Sequence, residues 1–174
     1  MQAAMEIAMT VLLSPAMSAL MAGVGAGLAS ALLLDWQTMN LGLLIAPFGA
    51  TCVLLFAAPQ SPFSRKRNVI GGYLLCGLSG LLAAELPLEA FNASIALALA
   101  IASMVYCQVV HPPAGAIPII MTQFQPDWTY VVFPVLTGAL LLLASSHLFN
   151  GLKTKSLSVV SQSMSHKGDN NETL

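Results

Sequence analysis

Residues 109–120 read VVHPPAGAIPII, and they set a histidine and two consecutive prolines inside a long apolar stretch. Pro112 and Pro113 have no N–H, and each turns the residue before it away from helical torsions, so an arriving helix must end at or just before His111. Proline is also favoured in the first turn of a helix, so Pro113 can begin the next one. Ala114, Gly115 and Ala116 would then leave the backbone N–H groups of that turn uncovered. Those donors and the positive end of the helix dipole suit a small anion or polar solute. His111 is the one His, Lys, Arg, Asp or Glu placed well away from the ends of the apolar segments. Ionisable groups at such depth usually face a bundle interior or a water path, and they are functional candidates. A kink that only improves packing explains the prolines equally well; the histidine favours function.

The same signal occurs twice. APFGAT at 46–51 resembles PPAGAI at 112–117, 66 residues later, and the same offset aligns Val69–Gly72 with Val135–Gly138. Gly49, Ala50 and Thr51 would line a second broken helix start. Each half reads as a span, a Pro/Gly-interrupted segment and a span, which predicts two three-segment repeats of inverted topology, an architecture of transporters.

The elements that must carry these residues are membrane helices. The chain has 174 residues, of which 7% are charged, against about a quarter in a soluble domain. Water cannot cover most of its surface, and the lipid bilayer is its first partner. A net charge of −1 gives no reason to expect nucleic acid. The fold class is all-α, with about six segments: Ile7–Leu34, Leu41–Ala58, Val69–Leu86, Asn92–Val110, Pro113–Phe124 and Tyr130–Leu148. The fifth is short, about 18 Å against about 30 Å of hydrocarbon. Residues 1–149 form the membrane domain, and the polar stretch 150–174 is expected to be a disordered cytoplasmic tail. The N-terminus resembles a secretory signal, but Glu6 stands where such a signal needs a cation, so it reads as a retained first span.

Six crossings put Asp35, Glu85, Glu89 and Asp127 on one face. Arg65, Lys66, Arg67, Lys153, Lys155 and Lys167 then fall on the other, so both termini are expected in the cytoplasm. His147 reads as interfacial and His166 as solvated. Cys52, Cys76 and Cys107 form no C-x-x-C pattern and are expected to be small buried hydrophobes. No metal or cofactor is expected, and no acid pair or Ser/His/Asp set supports an enzyme. Gly23 and Gly27, and the stripe Gly72, Cys76, Gly80, suit close helix packing.

HPPAGA at 111–116, together with FGATCVLLFAAPQSPFSRKRNVIGGYLL at 48–75, resembles the two characteristic stretches of the HPP family of integral membrane proteins. The likeness covers roughly residues 40–125. It implies four transmembrane helices and a transporter-like role. Some plant and cyanobacterial members transport nitrite, so a small anion of that kind is the leading substrate. The broken-helix and repeat reading makes His111, Pro112, Pro113, Ala114, Gly115, Ala116, Gly49, Ala50 and Thr51 the substrate-binding candidates, with Arg67 and Asn68 as weaker ones at a cytoplasmic mouth. Two positions depart from the family: Lys66 replaces a usual proline, and Tyr73 stands where a histidine is common, removing a possible polar partner. The expected function is a transporter or channel for a small anion in the bacterial inner (plasma) membrane, with a second copy of the chain as a candidate partner in a homo-oligomer. A scaffold or assembly subunit is the alternative, and a membrane-embedded enzyme a more remote one.

Overall fold

The computed structural model describes Leu20, Gly23, Val24 and residues 44–88 and 90–151. The rest of the first segment, Glu6, Gly27, Asp35, Glu89, and the tail with Lys153, Lys155, His166 and Lys167 lie outside the described residues.

Every regular element among the described residues is helical, as the all-α reading requires. Helix α1, Ile45–Cys52, continues through one wider π turn, Val53–Ala57. Pro47 lies in its first turn, where N–H groups have no intrahelical acceptor and a missing donor costs little. A short 3-10 turn, Pro62–Ser64, is capped by Ser61, whose side chain accepts from the Phe63 N–H. Helix α2 follows at Lys66–Ala84 and α3 at Asn92–Tyr106. A second 3-10 turn, Pro112–Ala116, leads into α4, Ile117–Phe124, which stops at Gln125 in the left-handed region. Helix α5, Val131–Gly151, closes the described chain.

Two of these helices are long and apolar enough to cross a membrane, α2 with 19 residues and α5 with 21. At 1.5 Å per residue they reach about 28 and 32 Å, enough for about 30 Å of hydrocarbon.

Three elements differ from the sequence expectation, the first being α2, which begins at Lys66 and not at Val69. Helix α3 ends at Tyr106 and not near Val110, because Gln108 turns left-handed with φ 54° and Cys107–His111 leaves the helix early. Side chains of α2 hold that stretch: Arg67 Nη2 donates to Cys107 O and Asn68 Nδ2 donates to Val110 O, both at 3.0 Å. Helix α5 is also less regular than expected. Phe133 is extended, and Pro134 follows it through a cis peptide inside an irregular π stretch, Val131–Leu136. Pro134 supplies no N–H there, so an unbroken α-helical ladder was not available.

Helix α2 is the centre of the packing, with α3, α4, the Pro112–Ala116 turn and the start of α5 laid against it. Its inward face is Val69, Gly72, Tyr73, Cys76, Gly80 and Ala83, while Leu74, Leu78 and Leu82 stand exposed. Small and polar residues inside with leucines outside reverse the pattern of a water-soluble helix and suit a lipid solvent. The Gly72–Cys76–Gly80 stripe therefore serves packing within the chain. A Cβ on Gly72 would lie 2.7 Å from His111 Cβ, and one on Gly80 would lie 3.0 Å from Pro118 Cα. Cys52 and Cys76 are buried, as expected for small hydrophobes, but Cys107 is exposed in the turn that ends α3 early.

These contacts fix directions. Helix α3 runs antiparallel to α2, since Cys107 meets Arg67 and Met104 Sδ lies 3.7 Å from Cys76 Sγ. The segment 112–124 runs parallel to α2, from Gly72 beside His111 to Gly80 beside Pro118 and Met121. Helix α1 runs the other way: Pro47 and Thr51 meet Tyr73, whereas Leu54 and Ala58 meet Ser64. Helix α1 and the Pro112–Ala116 turn that leads into α4 therefore start beside Gly72 and Tyr73, and the two segments lead away from each other. Helix α5 returns, with Val131 against Gly77 at its start and Asn150 Nδ2 donating to Leu55 O near its end.

The elements also keep the 66-residue period. Displaced by 66, the range 45–57 becomes 111–123, against an observed Pro112–Phe124, and 66–84 becomes 132–150, against Val131–Gly151. The aligned glycines act reciprocally. Gly72 in the first half receives His111 of the second, and Gly138 in the second half receives the ring of Phe48 in the first.

Candidate functional site

Three side chains meet between α1, α2 and the residue that opens the Pro112–Ala116 turn. Residues four apart share one face of a helix, so α1 turns Pro47 and Thr51 together toward α2. Tyr73 projects from the inward face of α2 and donates its hydroxyl to the Pro47 carbonyl at 3.0 Å. Thr51 Oγ1 lies 2.7 Å from Tyr73 OH and 2.9 Å from His111 Nε2. His111 Nδ1 lies 2.9 Å from the Phe63 carbonyl, in the loop that joins α1 to α2. Thr51, Tyr73 and His111 are all 0% exposed.

Aromatic rings enclose this polar chain. The His111 ring is tilted against Tyr73 with centroids 5.4 Å apart, and Phe48 meets Tyr73 edge-on at 5.6 Å. Tight backbone approach makes the arrangement possible. Gly71 lies against the Val109 side chain and Gly72 against His111, so a larger residue at either position would push the 107–111 stretch off α2. In a low-dielectric setting such a chain is strong when every hydrogen bond is made and costly when one is not.

The sequence pattern of the HPP transmembrane region matches residues 8–158. The chain belongs to the HPP family. Two Dictyostelium discoideum relatives, both described as transmembrane proteins, are 30% and 32% identical to it. Each match covers 64% of this chain but only 39% and 42% of the relatives, so this chain spans well under half their length. No solved structure matches it.

The HPP motif divides its labour. His111 is extended (φ −133°, ψ 95°) and brings its ring inward, while Pro112 faces outward and Pro113 is half-buried. Ala114 is fully buried, and its N–H donates to His111 O at 3.0 Å. That donor is spent within the turn and is not free for an anion, a correction to the open row of N–H groups expected from the sequence. The cause is the 3-10 conformation, in which each N–H reaches back three residues. Gly115 and Ala116 are half-buried, and a Cβ on Gly115 would meet Leu97 Cδ1 at 3.8 Å.

In the first half only Thr51 of the expected residues joins the site. Gly49 and Ala50 are exposed on the outer face of α1, and a Cβ on Gly49 would meet nothing within 4 Å. Arg67 and Asn68 bind carbonyls of their own chain, positioning the histidine stretch. Sequence reasoning missed Tyr73 and the Phe63 carbonyl. The departure from histidine at 73 does not remove a polar partner; the phenol supplies one. Its place between Gly72 and Cys76 on the small-residue stripe was the available signal. No group of three or more His, Cys, Asp or Glu among the described residues could hold a metal.

Proposed function

We propose that this HPP-family membrane protein is a transporter or channel for a small anion, with a nitrite-like substrate suggested by the family resemblance. The observation that carries this reading is the buried Thr51–His111–Tyr73 chain, located between α1 and the Pro112–Ala116 turn, from which the two segments diverge. A scaffold has no need of a fully buried histidine between two broken helices. Transporters, in contrast, place their sites where discontinuous helices of inverted repeats meet. The opposite directions of α1 and α4 and the reciprocal Gly72 and Gly138 contacts support the inverted repeat. The parallel course of 112–124 and α2 supports a crossing by the short fifth segment, the step on which six crossings and cytoplasmic termini depend. In this reading the solute passes the Gly115 side of the Pro112–Ala116 turn. There the dipoles of α4 and its turn favour negative charge, and no side chain nearer than Leu97 would block a group at the Gly115 Cβ position.

Flux of nitrite into liposomes holding the purified protein tests the proposal. Uptake above that of empty liposomes, abolished by Gly115→Leu, is the expected result. Purified, folded protein that passes neither nitrite nor other small anions would overturn it.

A further inference from the structure

We propose that the buried chain from the Phe63 carbonyl through His111, Thr51 and Tyr73 to the Pro47 carbonyl is a proton-binding site, one hydrogen short when His111 is neutral and complete when it is protonated. Four links make up the chain: His111 Nδ1 to Phe63 O at 2.9 Å, His111 Nε2 to Thr51 Oγ1 at 2.9 Å, Thr51 Oγ1 to Tyr73 OH at 2.7 Å, and Tyr73 OH to Pro47 O at 3.0 Å. Both ends are carbonyl oxygens, which only accept. Each link needs one hydrogen. Neutral imidazole carries one N–H, and Thr51 and Tyr73 carry one O–H each, so three hydrogens serve four links. An imidazolium brings the fourth. All links then close in order: Nδ1–H to Phe63, Nε2–H to Thr51, the Thr51 hydroxyl to Tyr73, and the Tyr73 hydroxyl to Pro47.

In the neutral chain the gap can stand at either end. With Nδ1–H on Phe63 and both hydroxyls turned toward His111, the gap lies at Pro47. With Nε2–H on Thr51 and the hydroxyls turned away, it lies at Phe63. Hydroxyl rotation and ring tautomerism carry the gap from the loop to α1 with no heavy atom moving. Proton uptake adds one H⁺ to the bare ring nitrogen and breaks no other bond.

Burial opposes the charge. The titratable groups around the ring are Tyr73 on α2, with Cys76 on α2 and Cys52 on α1 close to that tyrosine. Arg65, Lys66 and Arg67 stand exposed at the start of α2. The described acids, Glu85 and Asp127, lie beyond the ends of α2 and α4, so neither offsets an imidazolium. An unfilled link disfavours the neutral form and desolvation disfavours the charged one. That the proton travels with a solute rests on the transport reading; that the chain binds it does not.

Nitrogen-15 NMR of the purified protein in lipid bilayers, with labelled histidine, reports protonation at each ring nitrogen, and His111→Gln assigns the His111 signals. Tyr73→Phe leaves two links, which the neutral ring and the Thr51 hydroxyl fill completely. The expected result is a Tyr73→Phe ring fixed as the Nδ1–H tautomer, with a proton affinity about tenfold lower, one pH unit. Thr51→Ser keeps the hydroxyl and should titrate as the unmodified protein does. A Tyr73→Phe ring that titrates within about twofold of the unmodified protein overturns the proposal. The readout is ring protonation, so a null flux result counts against the transport reading alone.

Discussion

Thr51 and His111 stand 2.9 Å apart through Oγ1 and Nε2, although 60 positions separate them in the chain. Thr51 lies near the end of the Ile45–Cys52 stretch and His111 just before the Pro112–Ala116 turn, and their bond joins two segments that lead in opposite directions. Removing the hydroxyl with Thr51→Val leaves ring and phenol without their shared partner. The expected loss is about 1–2 kcal/mol of stability, read from unfolding in mixed micelles, with Thr51→Ser close to the unmodified protein. An unchanged Thr51→Val would show that the bond contributes nothing.

Glycine substitutions should separate two kinds of site. Gly72→Ala places a methyl 2.7 Å from His111 Cβ, and Gly138→Ala drives one into the ring of Phe48. Each should cost about 1–3 kcal/mol through overpacking. Gly49→Ala meets nothing within 4 Å and should be neutral or stabilising by up to about 1 kcal/mol through helix propensity. Thermal unfolding of the three variants in detergent checks the order, and equal losses at all three positions would contradict the packing described.

Asn68 is predicted to act through the backbone it holds. Asn68→Ala frees the Val110 carbonyl and loosens the stretch that presents His111. Hydrogen exchange at residues 107–111 should accelerate about tenfold, the equivalent of one hydrogen bond of about 1.4 kcal/mol. Exchange in α5 should be unaffected, and a uniform rise across all helices would mean global destabilisation.

Topology can be read by cysteine labelling. The exposed Cys107 must first be replaced with serine, because Arg67 holds it at the same end of α2 as Lys66. Impermeant reagent added outside intact cells should then reach a cysteine at Asp127 but not one at Lys66. Labelling of both from the same side would defeat the six-crossing arrangement.

If the transport reading holds, His111→Ala should lower anion flux and flatten its pH dependence while the protein still inserts and folds. Flux equal to that of the unmodified protein at every pH would make the histidine structural.

Much was legible in the residues themselves. The scarcity of charge dictated a membrane domain, because so little polar surface cannot face water. HPPAGA dictated a broken helix, because Pro112 and Pro113 lack the donors that an α-helix requires. The 66-residue echo in APFGAT anticipated matching element boundaries, since Pro and Gly act locally on backbone torsions. Other features needed the tertiary structure. Which face of α1 turns inward, selecting Thr51 over Gly49 and Ala50, depended on where α2 lay, because an apolar helix in lipid has no polar stripe to declare its inner side. The early end of α3 at Tyr106 followed from Arg67 and Asn68 reaching across to Cys107 and Val110, a contact no local pattern encodes. The acceptor at Phe63 is a backbone carbonyl, which every residue carries, so its role came only from the loop that sets it 2.9 Å from His111 Nδ1. Sequence placed a histidine inside an apolar stretch; packing on Gly72 gave it Thr51, Tyr73 and a chain of four links.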